Sequence, residues 1–89
     1  MRDALGFFEV RSLVAAIEAA DAMLKAADVQ LKNFNYVGSG VISVIVSGEV
    51  AAVKSAIDAA QNRAGMMAEV ISVNVIPRPN KELDELFEA

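Results

Sequence analysis

The chain contains neither cysteine nor histidine. Without cysteine there is no disulfide framework and no thiolate chemistry, a usage that fits a reducing cytosol. Without histidine, the commonest general base and the commonest transition-metal ligand are missing together. Positive charge is scarce as well: eight Lys and Arg stand against twelve Asp and Glu, for a net charge of -4. No basic stripe or stacked-aromatic surface offers itself to nucleic acid. Long hydrophobic runs are also lacking. The charge-free stretch from Tyr36 to Gly48 is interrupted by serines and glycines and cannot span a bilayer. The opening MRDALGFFEV is too short and too charged for a secretory signal. These absences describe a soluble, cytoplasmic chain with no membrane or nucleic-acid partner, no metal, no cofactor and no catalytic residues.

What the chain has in excess is apolar content. In 89 residues, 55% are hydrophobic and five more are glycine, which is high for a soluble domain. A chain this short makes one domain, expected over residues 1–89, and buries only about two-thirds of its unfolded surface. Surplus apolar surface on so small a body hints that further copies of the chain cover it.

Residues 4–10, ALGFFEV, read as a strand. Ser12 is placed to cap a helix running from Leu13 to Asp28. On that helix Leu13, Ile17, Ala20, Leu24 and Ala27 share one face, expected to be the core face, while Glu18, Asp21, Lys25 and Asp28 share the opposite one. Residues 29–37 form a second strand whose alternation breaks at Lys32-Asn33. A bulge there would move Phe34 and Val37 to the core side. After Gly38-Ser39-Gly40 comes a strand over 41–47, with Ser43 and Ser47 on one face of its period-two alternation. A second helix opens at Gly48-Glu49, with Val50, Val53, Ile57, Ala60, Ala64 and Met67 on one stripe. Val70 to Ile76 is a fourth strand, with Ser72 and Asn74 alternating outward, and Pro77-Arg78-Pro79 ends it. The acidic tail NKELDELFEA offers one or two helical turns. The order is β-α-β-β-α-β with a short C-terminal helix, an α+β, ferredoxin-like arrangement.

The glycines at 38 and 40 are not a nucleotide fingerprint. That fingerprint requires a strand-to-helix turn, so that a helix N-terminus meets the phosphates; here the segment joins strand to strand, and no Gly-Lys-Ser/Thr triplet follows. The default is a hairpin turn whose glycines supply positive φ. Glu9, Glu18, Asp58 and Glu69 read as solvated surface, and Met23, Met66 and Met67 as filler of a core or an interface.

Several segments in order resemble one family. ALGFFEVRSLVAAIEAADAMLKAADV, GSGVISVIVSGEVAAVKSAIDAA and VISVNVIPRPN are similar to the opening, the glycine loop with its following strand and helix, and the Ile-Pro-Arg-Pro ending of the bacterial microcompartment hexameric shell proteins. The likeness runs from Ala4 to about Phe87 and is nearest to the shell proteins of propanediol- and ethanolamine-utilisation compartments. It implies a homohexamer that tiles into a shell together with other shell proteins. It implies that Gly38, Ser39 and Gly40 of six copies meet at a central pore that passes small polar metabolites. Six backbones can crowd around one axis only where side chains are minimal, and a ring of hydroxyl and N–H groups selects polar solutes. It further implies that Lys25 and Arg78 lie at the hexamer-hexamer edge. Taken alone, Lys25 is a solvated lysine suited to a helix C-terminus and Arg78 a loop arginine. The chain departs from the family's usual residues at Ser12, Asp28, Tyr36, Asn74 and Asn80, which bears on solute preference and tiling strength. The alternative to a structural tile is a ferredoxin-like regulatory module binding a small molecule; an enzyme is the weakest reading.

Overall fold

The structure, a computed structural model, describes residues 3–87. Residues 1–2 and 88–89, the ends of the expected domain and of the acidic tail, lie outside the described residues. Strand β1 (Ala4–Val10) leads into helix α1 (Leu13–Ala26), strands β2 (Gln30–Gly38) and β3 (Val41–Gly48), helix α2 (Val50–Ala64) and strand β4 (Val70–Ile76). A 3-10 turn at Lys81–Leu83 and the short helix α3 (Asp84–Phe87) follow. The strands make one sheet in the order β2-β3-β1-β4, and every neighbouring pair is antiparallel. This is the ferredoxin-like order expected from the sequence.

Helix α1 starts where its capping residue dictates. Ser12 sits in extended backbone, and its hydroxyl accepts from the Ala15 N–H, satisfying one of the donors left free in the first turn. The helix ends at Ala26, two residues before the expected Asp28, because Ala27 is already extended and carries the chain toward β2. Helix α2 begins after Glu49, whose side chain makes no capping hydrogen bond.

The core lies between the two helices and one face of the sheet. Ala4, Phe8 and Val10 of β1 and Ile42, Val44 and Val46 of β3 point into it, alternating as strand geometry requires. From the helices come Ala15, Ala16, Ala19, Ala20 and Met23 of α1, with Val53, Ala56, Ile57, Ala60 and Ala64 of α2. At Gly6 the sheet and α2 come into close approach: a Cβ there would lie 2.7 Å from Val53 Cγ1 and 3.1 Å from Ile57 Cγ1.

Three expectations about faces need correction. The α1 core face is the alanine-methionine face; Ala20 and Ala27 pack inward as expected, but Leu13, Ile17 and Leu24 do not, and Ile17 is 54% exposed. Nearly every residue from Leu13 to Ala20 is apolar, so more than one stripe has helical period, and the tight space over the sheet admits the small side chains. On α2 the inner stripe holds from Val53 to Ala64, while Val50 and Met67 at its ends are exposed. On β2 the bulge is present between Leu31 and Asn33, and Phe34 packs against the core as expected. Val37, however, is 58% exposed. A second irregularity, between Tyr36 and Gly38, removes Val37 from the ladder before it can face inward.

The other face of the sheet is not bare. The serines of β3, Ser43 and Ser47, lie on it and are buried, as is Ile45. The segment after β4 turns back over this face, where the Phe87 ring meets Phe7 edge-on at 6.1 Å and 74°.

Candidate functional site

Between β2 and β3 the chain reverses in two residues. Gly38 pairs with Val41, and Ser39 and Gly40 form the tip. All three turn residues have positive φ: 127° at Gly38, 54° at Ser39 and 80° at Gly40. The values at Ser39 and Gly40 are those of a type I′ hairpin turn, whose twist matches that of the flanking strands. Ser39 is the only non-glycine residue with positive φ among the described residues. A β-branched residue at Gly38 or Gly40 would be strained in this conformation. Space is not the constraint within one chain, since a Cβ at Gly38 would have nothing within 4 Å. The turn residues are exposed, and the Tyr36 side chain beside them is 73% exposed.

One side chain reaches this turn from elsewhere in the fold. Arg11, just past β1, donates from Nη1 to the Ser39 carbonyl oxygen at 2.7 Å and from Nε to Glu69 Oε1 at 3.2 Å. Its own backbone N–H bonds the Glu69 carbonyl at 3.0 Å. Sequence reasoning missed Arg11 altogether. Twenty-eight positions separate it from Ser39, and no local pattern marks it.

The two residues assigned to an outer edge sit apart from the turn. Lys25 occupies the last turn of α1 and pairs with Asp21 at 2.8 Å, with 76% of its side chain exposed. The hydrogen bond that Lys25 donates to Asp21, followed by that carboxylate's charge, raises the Lys25 pKa above the usual lysine value. Arg78 is exposed between Pro77 and buried Pro79. It lines an open, mostly apolar groove of about 440 Å3 with Ala4, Val50 and the two prolines, rimmed by Asp3 and Glu49. A second groove shares Asp3 and Glu49 and continues to Asp28. Arg78 and the chain just beyond α1 therefore flank the same two carboxylates, although Lys25 lines neither groove.

The remaining carboxylates are bound to neighbours more than the sequence suggested. Glu18 accepts from Arg63 Nε at 2.9 Å, tying α1 to α2, and half-buried Glu9 accepts from the Ser72 hydroxyl at 2.8 Å. Asp58 is exposed. Of the methionines, Met23 is fully buried, while Met66 and Met67 are exposed. Among the described residues no group of three or more carboxylates is placed to hold a metal ion, and no helix is long and apolar enough to cross a membrane.

Comparison with known proteins places this geometry. Residues 4–79 match the BMC domain family. The chain is 48% identical over 86 residues to the bacterial microcompartment shell protein PduA of Citrobacter freundii, covering 97% of this chain and 92% of that one. It is 49% identical over 85 residues to the shell protein EutM of Escherichia coli strain K12, covering 96% and 88%. It is 44% identical over 85 residues to the carboxysome shell protein CsoS1A of Hydrogenovibrio crunogenus, covering 94% and 88%. A crystal structure of a microcompartment protein from Desulfitobacterium hafniense DCB superposes with a TM-score of 0.84 at 36% identity, over 93% of this chain. This chain spans 45% of that longer one. With the sheet order, the helix placement and nearly the whole sequence in agreement, the chain belongs to the bacterial microcompartment shell-protein family as a BMC-domain protein.

Proposed function

We propose that the chain is a structural shell tile, not an enzyme: six copies close into a ring, rings tile edge to edge, and the wall includes other shell proteins of the same compartment. In this reading Gly38, Ser39 and Gly40 line the central opening, through which small polar metabolites pass. Lys25 and Arg78 lie along the outer seam. The observation that carries the reading is the turn itself. Three consecutive positive-φ residues form a minimal, polar tip, open at Gly38 and held from its own subunit by the Arg11 side chain, the form needed where several backbones converge.

The exposed apolar residues support it. Val14, Ile17, Leu24, Leu31 and Val37 are left on the outside of a domain too small to waste them. Neighbouring subunits supply the missing partner.

The test is oligomeric and functional. Native mass spectrometry should find a hexamer, and electron microscopy should find hexagonal sheets, tubes or shells. Ser39→Leu should keep the hexamer while slowing the passage of small polar solutes through assembled shells. A dimer whose association responds to a small ligand would instead support the regulatory module. A structure of the assembly with Ser39 far from any symmetry axis would end the pore assignment.

A further inference from the structure

We infer that Arg11 is the positioning residue of the Gly38-Ser39-Gly40 turn: anchored on Glu69, its guanidinium holds the Ser39 carbonyl and so reinforces which side of the Ser39–Gly40 peptide the tip presents. The peptide unit is planar and trans, so the Ser39 carbonyl and the Gly40 N–H point in opposite directions. With the carbonyl bonded to Arg11 at 2.7 Å, the Gly40 N–H is directed away from the guanidinium.

The alternative arrangement differs by the rotation of one peptide plane, which would exchange a carbonyl for an N–H at the tip. A type II′ turn keeps positive φ at its first central residue and takes negative φ at the second. Gly40, the second, tolerates either sign of φ. Ser39, the first, would have to leave the left-handed region for one that favours glycine, so its own side chain disfavours the rotation and the Arg11 hydrogen bond adds to that preference. On the Gly40 side a Cβ would lie 3.5 Å from Arg11 Cγ, so the arginine stem runs beneath the same peptide that its head group holds.

Arginine suits this task because two different donors of one rigid fork are used at once. Nη1 holds the turn while Nε and the backbone N–H of the same residue hold Glu69, just ahead of β4. The turn is thereby tied across the end of the sheet. Its consequence for solutes rests on the pore reading above: six tied carbonyls would leave six identical peptide orientations at the opening. The hold of Arg11 on the turn does not depend on that reading.

The test uses the full-length protein in its assembled form, with Arg11→Ala, Arg11→Lys and Glu69→Gln. Amide exchange at Val41, which closes the turn against Gly38, is followed against exchange in β1 and the rest of β3, together with the carbonyl carbon resonance of Ser39. Arg11→Ala should speed exchange at the turn about tenfold, the loss of one charge-assisted hydrogen bond, and should move the Ser39 resonance while leaving β1 and the rest of β3 unchanged. Arg11→Lys should restore most of both signals, because an ammonium still donates to the carbonyl. Glu69→Gln should shift them the same way by less. Wild-type exchange and an unmoved Ser39 resonance in Arg11→Ala would overturn the assignment. Should Arg11→Ala lose protection throughout, a Glu69→Gln turn indistinguishable from wild type would overturn it equally. Solute flux separates the two readings. A loosened turn with unchanged flux upholds Arg11 and counts against the pore, whereas altered flux over an unaltered turn counts against Arg11.

Discussion

Lys25 and Arg78 illustrate how little a single side chain reveals about its purpose within one subunit. Lys25 already has a partner in Asp21, but an exposed, solvent-screened pair one helical turn apart contributes little. Another surface can therefore recruit its ammonium at small cost, while its methylenes lie along the new contact. Arg78 is held between two prolines, so it loses less freedom on docking and brings five donors. Lys25→Asp is expected to abolish sheet or shell formation, because it removes the donors and adds like charge beside Asp21 across a twofold seam. Arg78→Ala should weaken assembly. Both variants should remain hexameric by native mass spectrometry, since neither residue is in the core. The pH dependence follows from the raised Lys25 pKa. A group whose folded value is raised contributes fully below its unfolded value and loses that contribution only as pH rises through the folded one. Across roughly pH 6 to 9, below the usual lysine range, Lys25 stays charged, and sheet yield should not fall through its titration.

At the scale of the element, α1 carries two apolar faces, one packed in the core and one exposed that the proposed assembly would cover. The inner one is built of alanines and Met23, and the outer one presents Leu13, Val14, Ile17 and Leu24. The small inner face lets the helix lie close to the sheet and to α2. Interiors packed to this density do not absorb extra volume. Ala19→Leu should therefore destabilise the fold by about 1–3 kcal/mol, read as a lower urea midpoint with little change in slope. Ile17→Ser, on the outer face, should leave the unfolding of the isolated subunit within about 0.5 kcal/mol yet reduce the assembled fraction. If the two variants changed places in these assays, the faces would have been assigned the wrong way round.

For the molecule as a whole, the proposed assembly would couple stability to association. A domain of 89 residues gains modest stability from its own core, and this one leaves large apolar side chains outside it. Binding of one folded copy to another stabilises only the folded state, so the apparent stability depends on concentration. The thermal midpoint is expected to rise with chain concentration until assembly saturates, followed by circular dichroism over a dilution series. A midpoint independent of concentration, in a sample shown to be monomeric, would mean that the outward apolar faces contribute nothing.

The sequence by itself determined the element order, the Ser12 cap, the bulge beside Lys32, the inward placement of Phe34 and the family. Each is written locally, in a capping residue, a break in alternation, or residues at fixed spacing. The Ser39-Gly40 turn was legible for the same reason, because two glycines around a serine between strands leave few other conformations. Which face of α1 is buried was decided only by the tertiary structure. An almost wholly apolar helix has no unique stripe, and the choice fell to the side chains small enough for the space above the sheet. Val37 was decided the same way, by a second irregularity that no pattern in its neighbours announces. So was Arg11, whose contacts with Ser39 and Glu69 join segments that touch only when β1, the β2–β3 turn and the approach to β4 meet at one end of the sheet.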